Sequence, residues 1–186
     1  ETVNLEATGS TLTIEDLQST DLETLNVTGN GNVTIDDDID EDVTTIDSTA
    51  STGNLTAVVD GSASVAVTAD LGSGSDDLEI KNSTASHEVN AGNGNNTIDV
   101  QGSGDQTITS GTGSDTIDTG AGADEVTSGS GNDDIETRGG NDTIIADGGN
   151  NTIDAGEGNN NVTSGTGNDT IDSGAGDDIP CHNSDI

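Results

Sequence analysis

The chain reads as a series of short polar–aliphatic–polar triplets separated by stretches rich in Gly, Ser, Asn and Asp. From Ile108 onward an aliphatic residue falls at every ninth position: Ile108, Ile117, Val126, Ile135, Ile144, Ile153, Val162 and Ile171. Polar residues flank each one except Ile144, which Ile145 follows, and this is the alternation of a strand with one face buried. Most are preceded by Gly at six and four residues before, and by Asp or Asn two before. A Gly-x-Gly segment supplies a tight turn where a Cβ would clash. The pattern therefore predicts turn, short strand, turn, short strand. Units starting at Thr107, Glu125 and Asn161 read TITSG, EVTSG and NVTSG, whereas those at Thr116, Thr152 and Thr170 read TIDTG, TIDAG and TIDSG. Two unit types in alternation mean a true period of 18, with two strands per coil and two distinct parallel sheets. A three-residue strand cannot bury its face alone, so the coils must stack on one another.

The first half follows a longer version of the rule. Val3, Leu25, Ile46, Val67 and Val89 recur at steps of 22, 21, 21 and 22, and Leu12, Val33, Leu55 and Leu78 form a second series. The predicted fold is all-β, one continuous parallel β-solenoid. Residues 1–88 form coils of 21 to 23 residues, 89–180 form coils of 18, and 181–186 form a tail. Pro180 marks the place where the nine-residue pattern breaks.

Composition alone points elsewhere. The 186 residues include no Phe, Trp, Tyr or Met, only 26% are apolar, and 37 acids against two bases give a formal charge of −35. Low hydrophobicity with high net charge is the signature of a disordered chain. The periodicity overrides that reading. The charge excludes electrostatic binding to nucleic acid or to an anionic membrane, which both need a basic patch. No apolar stretch approaches the roughly 20 residues of a spanning helix. The single Cys rules out an internal disulfide framework. Because the sequence starts at Glu1, it is expected to be a processed product or part of a longer one.

The segments SGTGSDTID at 110–118, TGAGADEVT at 119–127, SGSGNDDIE at 128–136 and SGTGNDTID at 164–172 carry a resemblance. They resemble the nonapeptide G-G-x-G-x-D-x-U-x of RTX proteins, a calcium-binding β-roll repeat. The resemblance implies a β-helix passing into an RTX β-roll, with Ca²⁺ held between stacked turns by the sixth-place Asp and by turn carbonyls. Calcium takes six to eight oxygen ligands, which carboxylates and carbonyls can supply. Carried over by position, one edge holds Asp76, Asn96, Asp115, Asp133, Asn151 and Asp169. The other holds Gln106, Asp124, Asp142, Asn160 and Asp178. The chain departs from the pattern where Thr, Ala or Ser replaces the first Gly, and where Asn or Gln replaces Asp. The favoured sites are therefore the gaps with Asp on both sides, Asp115 with Asp133 and Asp124 with Asp142. The alternative is a metal-free solenoid in which Asn and Asp only favour turns.

Further features carry weaker expectations. The run Asp36, Asp37, Asp38, Asp40, Glu41 and Asp42 reads as a solvated acidic turn or a cation site. Asn-x-Ser/Thr sequons at Asn26, Asn32, Asn54, Asn82, Asn95, Asn141, Asn150, Asn161 and Asn168 largely follow from the repeat. Cys181 and His182 are adjacent but lack partners, with His87 remote in sequence, so neither zinc nor catalysis is expected. An outward column of Asp99, Asp118, Glu136, Asp154 and Asp172 is either a solubilising face or a cation-bridged, partner-binding one.

With Lys81 and Arg138 as its only basic side chains, the chain lacks groups to stabilise an anionic intermediate, and no enzymatic activity is expected. The segments ETVNLEATGSTLTI and LETLNVTGNGNVTID are also similar to solenoids of bacterial surface-layer proteins that contain RTX repeats. That resemblance implies an extracellular or cell-surface structural protein, exported unfolded and folded by external calcium. It would assemble as a homo-oligomer or polymer through end-to-end or cation-bridged contacts. Two alternatives stay open: a secretion and folding module of a larger protein, or an adhesin or ice-binding segment using the outward Thr97, Thr116, Thr152 and Thr170.

Overall fold

The computed structural model describes residues 1–17, 21–39, 42–60 and 64–181. Among these residues there is no helix, and every strand pairs in parallel with the strand one coil further along the chain. The result is a ten-stranded sheet and a nine-stranded sheet facing each other, with the chain alternating between them. This is the parallel β-solenoid that the periodicity predicts. Strands of the repeat region are short, such as Thr116–Asp118, Asp134–Glu136 and Thr152–Asp154, and their central Ile117, Ile135 and Ile153 point inward and are buried. The residues on either side face solvent or the sheet edge.

Each sheet contributes one continuous aliphatic column to the core. In the ten-stranded sheet it runs Val3, Leu25, Ile46, Ala69, Val89, Ile108, Val126, Ile144 and Val162. The expected member Val67 is replaced by Ala69. In the nine-stranded sheet Leu78 pairs with Ala57, whereas the even spacing pointed to Leu55. Both corrections are slips of two residues, and a slip of two leaves the inward face inward, so alternation alone cannot detect it. Val67 and Leu55 remain buried. Val67 stacks beneath His87, and Leu55, still paired with Val33 as expected, stacks beneath Asp76; His87 and Asp76 are the first polar seats of the two edges.

Coil length shrinks by one residue at a time. Along one edge successive equivalent positions are 21, 20, 19 and then 18 residues apart, and along the other 20, 19 and then 18. The core narrows with it. Two residues after the column, the early coils bury Val27, Ile80, Ala91 and Val100, whereas the 18-residue coils bury Ser110, Thr119, Ser128, Thr137, Ala146, Ala155 and Ser164. Each full burial of an Ile or Val contributes about 1.5–3 kcal/mol, so the short coils hold less hydrophobic stabilisation apiece. Polar contacts between turns must supply more of the cohesion there.

Those contacts depend on close stacking. Gly131 has φ 154° and lies directly over Gly113, and a Cβ at Gly131 would overlap the Gly113 carbonyl oxygen. The turn centres form bridges of their own, including Thr112 with Ser130 and Gly139 with Glu157. Pro180 does not end the ladder: Ile179–Cys181 pairs with Asn161–Thr163, at the edge of the sheet where a missing N–H is tolerated.

Candidate metal centre

The two edges of the solenoid carry the predicted seats in unbroken columns. On one, the side-chain Oδ1 of Asp76 accepts the backbone N–H of Leu55, Asn96 accepts from Asp76, Asp115 from Asn96, Asp133 from Asp115, Asn151 from Asp133, and Asp169 from Asn151. All six distances lie between 2.7 and 3.0 Å. On the other, Gln106 accepts from His87, Asp124 from Gln106, Asp142 from Asp124, Asn160 from Asp142, and Asp178 from Asn160, at 2.7–2.9 Å. The inward twist of the turn carries each sixth-place side chain under the backbone of the preceding coil, and most of these residues are buried. Only Asp169 and Asp178, in the last coil, are half-buried.

His87 belongs to this second column although the sequence offers no nonapeptide there. Its Nδ1 accepts the Val67 N–H at 3.0 Å, and burial lowers its pKa, so the neutral ring fills the seat. The missed signal was its phase: His87 stands two residues before Val89, as Gln106 stands two before Ile108.

A second, opposed ladder was also missed. Fifth-place side chains accept N–H groups from the following coil: Asn32 from Asn54, Asn54 from Ser75, Asn95 from Ser114, Asn132 from Asn150, and Asn141 from Asn159. Several sequon asparagines therefore serve to stitch one turn to the next. Where such a side chain stands, the junction is bonded in both directions, forward at the fifth place and backward at the sixth; Ala123 leaves the forward bond out beside Asp124.

The sixth-place acids are left incomplete by this network. The Oδ2 atoms of Asp76, Asp115, Asp133 and Asp142 are buried without a well-formed hydrogen bond, although the Gly72 backbone lies near Asp76 and hydroxyls of Ser128 and Thr137 lie near Asp133 and Asp142. Asp124 is better served, its Oδ2 accepting the Thr119 hydroxyl at 2.6 Å. Burial nevertheless pushes Asp124 up to about 6, with Asp142 adding to the rise, and burial also raises Asp76, Asp133 and Asp142. An orphaned buried acceptor costs about 1–3 kcal/mol, and more when it is charged. Stacked carboxylates one strand spacing apart, about 4.8 Å, repel each other as well.

A divalent cation fits this arrangement. Calcium would supply positive charge to Asp115 with Asp133 and to Asp124 with Asp142, the two gaps with acids on both sides. No group of three or more acid, His or Cys side chains gathers in one place among the described residues. The remaining ligands would have to be backbone carbonyls of the turns, which calcium accepts readily.

Some of the other acidic side chains are paired with the basic ones. Asp38, in the acidic run, holds Lys81 at 3.1 and 3.2 Å. Asp36, Asp37 and Asp42 are exposed, and Asp40 and Glu41 lie outside the described residues. So do His182 and the side chains of Asn82 and Cys181. The outward column is in register as Glu79, Asp99, Asp118, Glu136, Asp154 and Asp172. Arg138 lies across it, with Nε 2.8 Å from Asp118 Oδ1 and 3.5 Å from Glu136 Oε1. Arg138 does so from the seat of a turn glycine, at φ 56°.

Comparison with known proteins agrees with this geometry. Residues 100–135, 127–162, 136–171 and 154–179 each match the family of RTX calcium-binding nonapeptide repeats. No curated protein and no solved structure matches the chain. The nine-residue spacing, its inward aliphatic residues from Ile108 to Ile171 and both Asp-with-Asp gaps all fall within the matched segment, and residues 100–179 are RTX calcium-binding nonapeptide repeats.

Proposed function

We propose that the chain is a calcium-stabilised, non-enzymatic structural module of the cell exterior. The observation that supports this best is the pair of stacked, buried carboxylates in each of two neighbouring gaps, where Oδ2 of Asp115, Asp133 and Asp142 lacks a well-formed hydrogen bond. In a compartment with little free calcium, these acids and the net charge of −35 oppose folding. At millimolar calcium, binding to the folded state alone draws the equilibrium toward it. Ca²⁺ here serves as a structural ion that neutralises charge and ties coil to coil. Asp115, Asp133, Asp124 and Asp142 carry the role, because theirs are the gaps with a carboxylate on both sides.

The finer reading is assembly into a surface layer, filament or matrix. It is supported by the in-register acidic column, whose charges outnumber the one Arg laid on it, so that divalent ions can bridge it to another copy. No helix is long and apolar enough to cross a membrane among the described residues, and with so few basic groups nucleic acid is not a partner on this reading. A secretion and folding module of a larger protein is the second reading, favoured by the resemblance of the repeats to that class. Calcium titration followed by circular dichroism and calorimetry tests the first claim: folding without calcium, and no heat of binding, would remove it. Electron microscopy with and without chelator tests assembly, and the absence of any calcium-dependent polymer would leave the module reading in its place.

A further inference from the structure

The sixth-place seats are alike on one side and differ on the other. Whether Asp, Asn or Gln stands there, one side-chain oxygen accepts the N–H of the preceding coil. The second atom decides the rest. For Asp76, Asp115, Asp133 and Asp142 it is an oxygen buried without a well-formed hydrogen bond. For the amides it is a nitrogen that donates to backbone carbonyls. Gln106 Nε2 donates to Gly104 O at 2.7 Å and Ala85 O at 3.2 Å. Asn160 Nδ2 donates to Ala155 O at 3.1 Å and Ser173 O at 3.2 Å. Asn151 Nδ2 reaches Ser164 O at 3.3 Å, and Asn96 Nδ2 reaches Gly94 O at 3.4 Å.

Two of these amides bridge carbonyls of adjacent coils: Ala85 and Gly104 are one coil apart, as are Ala155 and Ser173. The positive end of a buried amide thus sits among stacked carbonyl oxygens, which is the service a bridging cation gives. It carries no net charge, so it adds no repulsion along the column.

We propose that Asn96, Gln106, Asn151 and Asn160 are built-in neutral replacements for the cation. This rests on the calcium reading above and divides the solenoid into two kinds of junction. Asp115–Asp133 and Asp124–Asp142 require metal, and they lie in the same pair of coils on opposite edges. Asn96 and Gln106 on one side, and Asn151 and Asn160 on the other, close without metal. Asp76, Asp169 and Asp178 have no second carboxylate beside them in the ladder. Removing calcium should therefore loosen the middle of the array and leave both flanks closed.

The consequence is opposite to the ordinary expectation for a metal ligand. Exchanging Asp133 and Asp142 for Asn should make the chelated protein more stable, because each new amide completes its seat. The test uses the full chain. Calorimetry with calcium chloride should give a stoichiometry of two. In EDTA the double variant Asp133→Asn, Asp142→Asn should melt at least about 5 °C above the parent, and its gain on adding calcium should fall by more than half. The reverse pair, Asn151→Asp with Asn160→Asp, should melt lower in EDTA and bind additional calcium. Hydrogen exchange of the parent in EDTA, which needs no variant, should lose protection first across 113–142 and keep it at 96–106 and 151–164. A double Asn variant that melts lower in EDTA, a parent that binds calcium at the amide seats too, or loss of protection uniformly along the array would each overturn the proposal with calcium binding intact. A parent that binds no calcium at all would overturn the functional reading itself, and is recognised by the absence of any binding heat.

Discussion

The carboxyl of Asp124 offers a direct measure of what the metal-free fold costs. Its pKa rises from 3.8 to about 6, with burial as the largest cause. The sign follows from linkage. In the folded state the proton is held more tightly than in the unfolded chain, so the contribution of Asp124 to metal-free stability is greatest below about pH 4 and falls as pH rises through the interval from about 4 to 6. A shift of about two units at 1.36 kcal/mol each amounts to roughly 2–3 kcal/mol lost by pH 7. For a chain of this length that corresponds to about 5–10 °C in Tm. Asp124→Asn removes the titration while keeping an acceptor for the Gln106 N–H. The quantity to record is the difference in Tm between variant and parent, in chelator, from pH 4 to 7.5. Taking the difference cancels His87, whose lowered pKa works the other way and destabilises the fold as pH falls. Recording it at low and high salt separates local burial from the general repulsion of −35 charges, which salt screens. The variant should gain on the parent as pH rises, at both salt concentrations. A difference that stays flat, or disappears in high salt, would refute burial as the cause. With calcium present the trend reverses, because binding needs the deprotonated carboxylate.

Other perturbations test the fold more simply. Ile135→Ala empties part of an aliphatic column and should cost about 2–5 kcal/mol by urea unfolding in calcium; a loss below about 1 kcal/mol would contradict a close-packed core. Gly131→Ala forces a Cβ against the Gly113 carbonyl at positive φ, and should cost more than about 3 kcal/mol or prevent folding, as read by circular dichroism. Arg138 occupies a left-handed seat, so Arg138→Gly should retain more stability than Arg138→Ala, since both lose the Asp118 ion pair but only Gly relieves the backbone. Equal melting temperatures for the two would show that the backbone there is unstrained.

Much of this molecule could be read from its residues. A nine-residue spacing with one aliphatic per unit leaves no architecture but a stack, because a single three-residue strand buries too little to stand alone. The alternation of TID with EVT or NVT units separated the two sheets. The sixth-place acids and amides of both edges were found by position, and each occupies its expected column. The resemblance to RTX repeats then supplied the ion. Composition would have misled, since it counts the charge without seeing that some acids are stacked inside the fold.

The register of the early coils was not legible. Val67 against Ala69, and Leu55 against Ala57, differ by two residues, and a strand's period of two makes both choices equally inward. Only the pairing of neighbouring coils decides between them, and it places Val67 and Leu55 beneath the first polar seats. His87 was hidden for the same reason, because its column is defined by stacking and its residue type fits no motif. The Asn and Gln seats looked from sequence like weaker copies of Asp. Asn96 reaches only Gly94 in its own turn, but the second atom of Gln106, Asn151 and Asn160 reaches a carbonyl 13 to 21 residues away, brought within range only when the solenoid closes. The sequence by itself therefore determined the repeat, the two sheets and the candidate ligands, all of which are local and periodic. Which seats are complete and which still lack a positive charge was decided by tertiary structure, because a hydrogen bond across coils depends on where a residue some 18 positions away comes to rest.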